Sequence, residues 1–101
     1  MSKDLYQLRD KIRIFARQRD WEQFHTPKNL AMAVAGEAGE LLAEFQWLTP
    51  SESANLTAEQ KAAVELEIAD VAIYLIRLAD TLNVDISDAV GKKLEINESR
   101  F

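Results

Sequence analysis

Two acidic couplets, set into the most apolar stretches of the chain, constrain its fold more than any other feature. Glu37 and Glu40 lie within Leu30-Ala-Met-Ala-Val-Ala-Gly-Glu-Ala-Gly-Glu-Leu-Leu-Ala-Glu-Phe45, and Glu67 and Asp70 within Leu66-Glu-Ile-Ala-Asp-Val-Ala-Ile-Tyr-Leu-Ile76. Residues three apart share one face of a helix, so each couplet aims two carboxylates in one direction. A helix that is apolar nearly all round is a buried helix, and buried carboxylates are costly unless a cation meets them. Arg77 is the only basic residue between Leu30 and Phe45 or between Leu66 and Leu82. The residue pattern therefore points to a divalent metal ion as the counter-charge.

The rest of the chain reads as helix. It has three glycines and two prolines, and nowhere the alternation of a strand. A first helix is predicted from Lys3 to about Arg19, with Ser2 as its N-cap and an apolar stripe of Leu5, Leu8, Ile12, Phe15 and Ala16. Thr26-Pro27 is an N-cap followed by proline at the first helical position, opening a second helix that continues to about Trp47. Thr49-Pro50-Ser51-Glu52 repeats the start signal for no more than a short turn. Thr57-Ala-Glu-Gln60 is a capping box for a third helix reaching about Leu82, with Asn83 as a left-handed terminator. Asp85 begins a short last helix that reaches the C-terminus. The expected architecture is all-α: four helices in one domain over residues 1–101, with the second and third antiparallel across the 48–56 loop.

Composition removes whole classes of function. With no cysteine, disulfides, thiolate zinc sites and cysteine nucleophiles are excluded. A formal net charge of −5 is wrong for a protein that neutralises a nucleic-acid polymer, although a metal can serve a small phosphate ligand locally. The longest apolar run, residues 71–76, is too short to cross a membrane, and the N-terminal residues lack the apolar core of a signal peptide. A cytoplasmic protein with no membrane partner is the expectation. A chain of this size buries roughly two-thirds of its unfolded surface, which leaves apolar area for a partner subunit.

Magnesium or manganese takes oxygen ligands, with water and substrate phosphate completing the shell. Glu37, Glu40, Glu67 and Asp70 supply that ligand type; zinc fits less well, because the single histidine, His25, lies outside both couplets. Two plainer readings stand beside this one: solvated helix faces, or carboxylates paired with Lys92, Lys93 or Arg100 to fix bundle register. Gly36 and Gly39, each costing a helix interior about 1 kcal/mol against alanine, suggest that a second helix or a ligand comes near. Trp21 and Trp47, at the ends of the second helix, either sandwich a base or seal the core. Tyr74 reads as core, His25 as a local hydrogen-bonding residue, and the basic residues from Arg9 to Arg19 as a solvated face that can attract a polyanion.

Glu37-Ala-Gly-Glu40 followed by Glu67-Ile-Ala-Asp70 resembles the E-x-x-E…E-x-x-D signature of the all-α nucleoside triphosphate pyrophosphohydrolases, the MazG-like superfamily. Arg19-Asp-Trp-Glu-Gln-Phe-His25, residues 36–41, Phe45-Gln-Trp47 and Ile73-Tyr-Leu75 are similar to its dCTP pyrophosphatase branch. The resemblance implies a helical homo-oligomer, dimer or tetramer, whose helices complete a four-helix bundle. It implies magnesium-dependent cleavage of a nucleoside triphosphate, dCTP or a modified dCTP, to the monophosphate and pyrophosphate. Metal ligation then falls to Glu37, Glu40, Glu67 and Asp70. Phosphate binding falls to Lys93, Asn97 and Arg100 of a K-x-x-x-N-x-x-R tail, and base contact to Trp21, Trp47 and Tyr74. A histidine associated with base contact in animal relatives is replaced by Ile12. Phosphoanhydride hydrolysis needs charge neutralisation and an oriented water, not a protein nucleophile. A free carboxylate oxygen on Glu37 or Glu40 could accept the proton of that water, and Lys93 and Arg100 could counter charge on the leaving group. A phosphoribosyl-ATP pyrophosphohydrolase, or a non-catalytic dimeric nucleotide sensor or adaptor, are the alternatives.

Overall fold

Capping chemistry sets the element boundaries. The computed structural model describes residues 3–101 as five helices: α1 (Lys3–Gln18), α2 (Pro27–Ala43), α3 (Pro50–Ala54), α4 (Ala58–Thr81) and α5 (Ile86–Arg100). The expected cap Ser2 lies outside the described residues. Thr26, Thr49, Thr57 and Asp85 each accept a backbone N–H of their own first turn, and reciprocal capping boxes with Glu52 and Gln60 close the starts of α3 and α4. Asp20 and Asn83 both adopt φ of 57°. After each, the chain folds back: Trp21 N–H donates to the Ala16 carbonyl at 3.0 Å and Val84 N–H to that of Ala79 at 2.8 Å, the Schellman closure.

There are five helices rather than four, and one boundary differs from expectation. α2 stops at Ala43, because the next amides reach only three residues back, Phe45 to Leu42 and Leu48 to Phe45, both at 2.9 Å. These tight turns carry Trp47 off the helix. α5 starts at the Asp85 cap and runs to Arg100, reaching the C-terminus as expected.

α2 packs chiefly against α4, and α1 lies across α4; α3 sits in the bend between α2 and α4. The fully buried apolar residues are few: Ala16, Leu30, Val64, Ile76 and Ala79. By contrast Met32, Leu42, Leu66, Ile68, Val90, Leu94 and Ile96 are all more than half exposed. Helices whose sequences read as buried all round are therefore covered on one side only. α5 makes no sustained contact with another helix.

The dimensions agree. The radius of gyration is 15.9 Å, against about 13 Å for a compact chain of this length. The accessible surface is 7543 Å², where about 5,800 Å² is usual for 11.5 kDa. Among the described residues no helix is long and apolar enough to cross a membrane.

Candidate active site

The α2–α4 contact brings the two couplets face to face. Glu37, Glu67 and Asp70 each present a carboxylate oxygen within 4.8 Å of the other two. All three residues are half-buried, but the Oε2 atoms of Glu37 and Glu67 are fully enclosed and have no hydrogen-bond partner. Burial first, and then neighbouring carboxylates, raise both pKa values above the ordinary glutamate range; Glu40 and Asp70 act on both, Glu67 on Glu37, and Glu44 on Glu67. Enclosed oxygens without donors, crowded by like charge, are the arrangement a hard divalent cation would relieve. The donor set fits magnesium or manganese.

Glu40 stands at the edge of this group. It is exposed and outside the three-oxygen cluster, although its charge acts on both Glu37 and Glu67. The pairing with Lys92, Lys93 or Arg100 does not occur among the described residues; the ion pairs there join Arg9, Arg13, Arg17 and Arg77 to Asp10, Glu22 and Asp80. The close approach expected at Gly36 and Gly39 is not made within this chain, since a Cβ built on either would meet nothing within 4 Å. Both glycines lie on an exposed face of α2.

Beside the cluster opens a cavity of about 240 Å³, walled by Trp21, Tyr74, Ile12 and Ile73 and lined also by Asp70, His25 and Arg77. The left-handed turn at Asp20 sets Trp21 there, edge-on to Phe15 at 5.6 Å and 6.0 Å from the His25 ring. Asp70, Tyr74 and Arg77 recur at helical spacing on α4, so one stripe delivers all three.

Trp21 and Tyr74 thus share a cavity with Asp70. Trp47 does not: it is 86% exposed on the α2–α3 connection. Lys93 lines a separate, apolar cavity between the end of α4 and α5, Asn97 is half-buried on α5, and the Arg100 guanidinium lies 5.2 Å from the Phe101 ring. Among the described residues no hydrogen bond or ion pair ties this tail to the carboxylates.

Residues 77 and 25 carry more than their sequence context suggested. Arg77 is 6% exposed; its Nε donates to His25 Nδ1 at 3.2 Å and its Nη1 to Asp80 Oδ2 at 3.2 Å. Arg13 grips both oxygens of the same Asp80. His25 is therefore bonded across 52 positions, not locally, and burial followed by the Arg77 charge lowers its pKa and keeps it neutral. The available signal was Arg77 itself, the only basic residue between Leu66 and Leu82, a cation on an apolar stretch that had to find partners inside.

Residues 33–101 match the MazG-like family. The chain is 46% identical over 89 residues to dCTP pyrophosphatase 1 of Homo sapiens, covering 86% of this chain and 52% of that protein. It is 43% identical over 49 residues to the dATP/dGTP diphosphohydrolase of Cyanophage S-2L, covering 48% and 47%. The chain thus spans about half the length of the curated relatives it matches. A crystal structure of a pyrophosphatase from Archaeoglobus fulgidus superposes with a TM-score of 0.92 at 39% identity, covering all of this chain and 94% of that one.

Proposed function

Because the chain belongs to the MazG-like family, we propose that it is a divalent-cation-dependent nucleoside triphosphate pyrophosphohydrolase. Its substrate is dCTP or a modified dCTP, and its products are the monophosphate and pyrophosphate. The observation that carries this reading is the pair of enclosed, unpartnered oxygens of Glu37 and Glu67 beside a cavity walled by Trp21 and Tyr74. Asp70 belongs to both, so the two halves form one continuous site.

Glu37, Glu67 and Asp70, with Glu40 beside them, would hold magnesium or manganese. When bound, such a cation neutralises the triphosphate and acidifies water. Trp21 and Tyr74 flank the base and exclude water from it. Glu40, exposed and outside the tight oxygen group, would accept a proton from the attacking water. Water adds across the α–β anhydride: one phosphorus gains its oxygen, the other keeps the bridging oxygen, and the proton passes to the carboxylate. Lys93, Asn97 and Arg100 remain the proposed phosphate contacts.

The assembly proposed is a homo-oligomer. The surface excess of about 1,700 Å² per chain over a compact monomer would amount to an interface in the obligate size range when two copies meet. The exposed α5 face is the natural area to be covered.

Phosphorus NMR on a deoxynucleoside triphosphate panel tests the reading. Pyrophosphate and the monophosphate should appear from dCTP with magnesium, and Asp70→Asn should abolish turnover with helical content retained. Orthophosphate with a diphosphate nucleotide as first products would reject the reaction. Survival of every triphosphate would favour a non-catalytic nucleotide sensor.

A further inference from the structure

The Trp21–Tyr74 cavity holds a charge that the carboxylate cluster does not explain. Arg13 and Arg77 both bond to the single carboxylate of Asp80, and Arg13 has a second, longer ion pair to Asp10 at 4.0 Å. The other buried bond of Arg77 is to His25 Nδ1. Since Nδ1 accepts, the imidazole proton must sit on Nε2. Among the described residues neither His25 Nε2–H nor Arg77 Nη2 has an acceptor. Both residues line the cavity, and Arg77 is more than nine-tenths buried.

We infer that His25, held in its Nε2–H form by Arg77, is the specificity-determining residue of this cavity. With Arg77 it reads a base edge that carries two adjacent acceptors, which among pyrimidines is the O2/N3 edge of cytosine. The inference rests on the reading of the cavity as the base subsite. Its chemistry follows from the donor inventory. Uracil and thymine present an N3–H donor next to O2, which would set donor against donor and leave buried groups unpaired. Adenine places a donor beside its N1 acceptor. Guanine offers adjacent acceptors at O6 and N7, but on a larger ring system. A phosphate is the wrong occupant of a chamber walled by Trp21, Ile12 and Ile73, because most of its oxygens would face apolar carbon. The cavity, at about 240 Å³, is also smaller than the roughly 300–1,000 Å³ of sites that enclose a whole drug-sized ligand.

Besides offering its own donor to the base edge, Arg77 positions the imidazole. Its guanidinium is fixed by Asp80, which Arg13 fixes in turn, and that rigid chain keeps the imidazole from flipping or swapping its proton. A structural role for His25 would change stability or all nucleotides alike; a reading role changes one preference.

Isothermal titration with α,β-imido analogues of dCTP, dUTP, dGTP and 3-deaza-dCTP, in the presence of magnesium, separates these. The analogues cannot be cleaved at the α–β position, so binding is read whether or not the protein hydrolyses. The wild type should bind the dCTP analogue about 10–100-fold more tightly than the dUTP or 3-deaza forms, the range expected for one buried donor left unpaired. His25→Leu should bring these three to near parity by weakening the dCTP form. His25→Gln, whose amide N–H can stand where Nε2–H does, should restore part of the preference. The inference is overturned by a His25→Leu preference like that of the wild type, by equal weakening of every analogue, or by tightest binding of the dGTP analogue. If His25→Leu does not fold, wild type alone decides, since equal affinity for the dCTP and 3-deaza-dCTP analogues overturns it. A wild type that shows the expected preference yet cleaves no triphosphate would sustain this inference and remove the hydrolase reading instead.

Discussion

Asp80→Ala should be among the most damaging single substitutions in the chain, although Asp80 belongs to neither acidic couplet. The Asp80 side chain is 8% exposed, as is that of Arg77, while that of Arg13 is 32% exposed. Removing the carboxylate strips Arg13 of both its hydrogen bonds to Asp80 and Arg77 of its Nη1 partner. Arg13 can turn to water, so its share is about 1 kcal/mol or less. Arg77 cannot, and an uncompensated buried charge costs about 3–5 kcal/mol. A loss of about 3–4 kcal/mol is a large part of the 5–15 kcal/mol typical of a domain. At roughly 4–8 °C per kcal/mol for a chain of this size, the midpoint of thermal unfolding should fall by at least about 12 °C. Circular dichroism melts at one fixed protein concentration are the measurement, because association shifts the midpoint by mass action. The double variant Arg77→Met/Asp80→Leu should recover much of the loss, since removing charge and partner together is close to neutral. A midpoint for Asp80→Ala within about 5 °C of wild type would refute the reasoning, and would mean that Arg77 reaches solvent or another acid.

Three further outcomes follow from the two charge clusters and from α5. In metal-free buffer Glu67→Gln should melt above wild type, because it removes a carboxylate crowded by Glu40, Asp70 and Glu44, whereas the rise in midpoint that magnesium gives the wild type should be reduced or lost; a variant that keeps the full magnesium effect would remove Glu67 from the metal site. The pH dependence has two limbs of opposite sign: Asp80, held below its usual pKa by the Arg13 hydrogen bonds, contributes stability above about pH 3.9 that disappears as pH falls through its lower folded value, and Asp80→Ala should erase that limb. Glu37 and Glu67, with raised values, should make metal-free protein lose stability as pH rises from about 4.3 to their folded pKa values, and magnesium should abolish the loss; urea titrations across pH read both. Leu94→Glu, placing a charge on the exposed apolar side of α5, should shift the sedimentation coefficient toward a single chain, and unchanged sedimentation would show that this face is not an interface.

What sequence discloses here is what local chemistry decides. Thr26-Pro27, the Thr57–Gln60 box and the terminator Asn83 act within one turn of themselves, and each stands in the structure where the residues place it. The couplets were legible for a related reason: helical spacing aims Glu67 and Asp70 one way, and the only open question was what Glu37 would face. Trp47 was not legible, because nothing in Glu44-Phe45-Gln46 marks the change to three-residue turns that ends α2. The bond between Arg77 and His25 was not legible either, since it depends on how the 19–26 segment packs over α4. Apolar helices implied burial, but not by which chain. Leu66, Leu94 and Ile96 stay exposed in this chain, and the sequence states their apolarity only as surplus.

Glu67, Asp70, Tyr74 and Arg77 form one line along α4, and their order carries a physical consequence. Ten residues at 1.5 Å each span about 15 Å, passing from acid through an aromatic ring to a buried cation. The acid end, with Glu37, repels a triphosphate until its charge is met; the cationic end, with His25, offers donors to a neutral ring. On the proposed function, polarity along a single helix would set which way a nucleotide lies, phosphates toward residue 67 and base toward residue 77. Reversal would press phosphate oxygens against Ile12 and Ile73 and leave the enclosed oxygens of Glu37 and Glu67 facing a base that cannot neutralise them. On that reading the period of α4 alone would orient the nucleotide, with neither the Lys93–Arg100 tail nor Trp47 in place first.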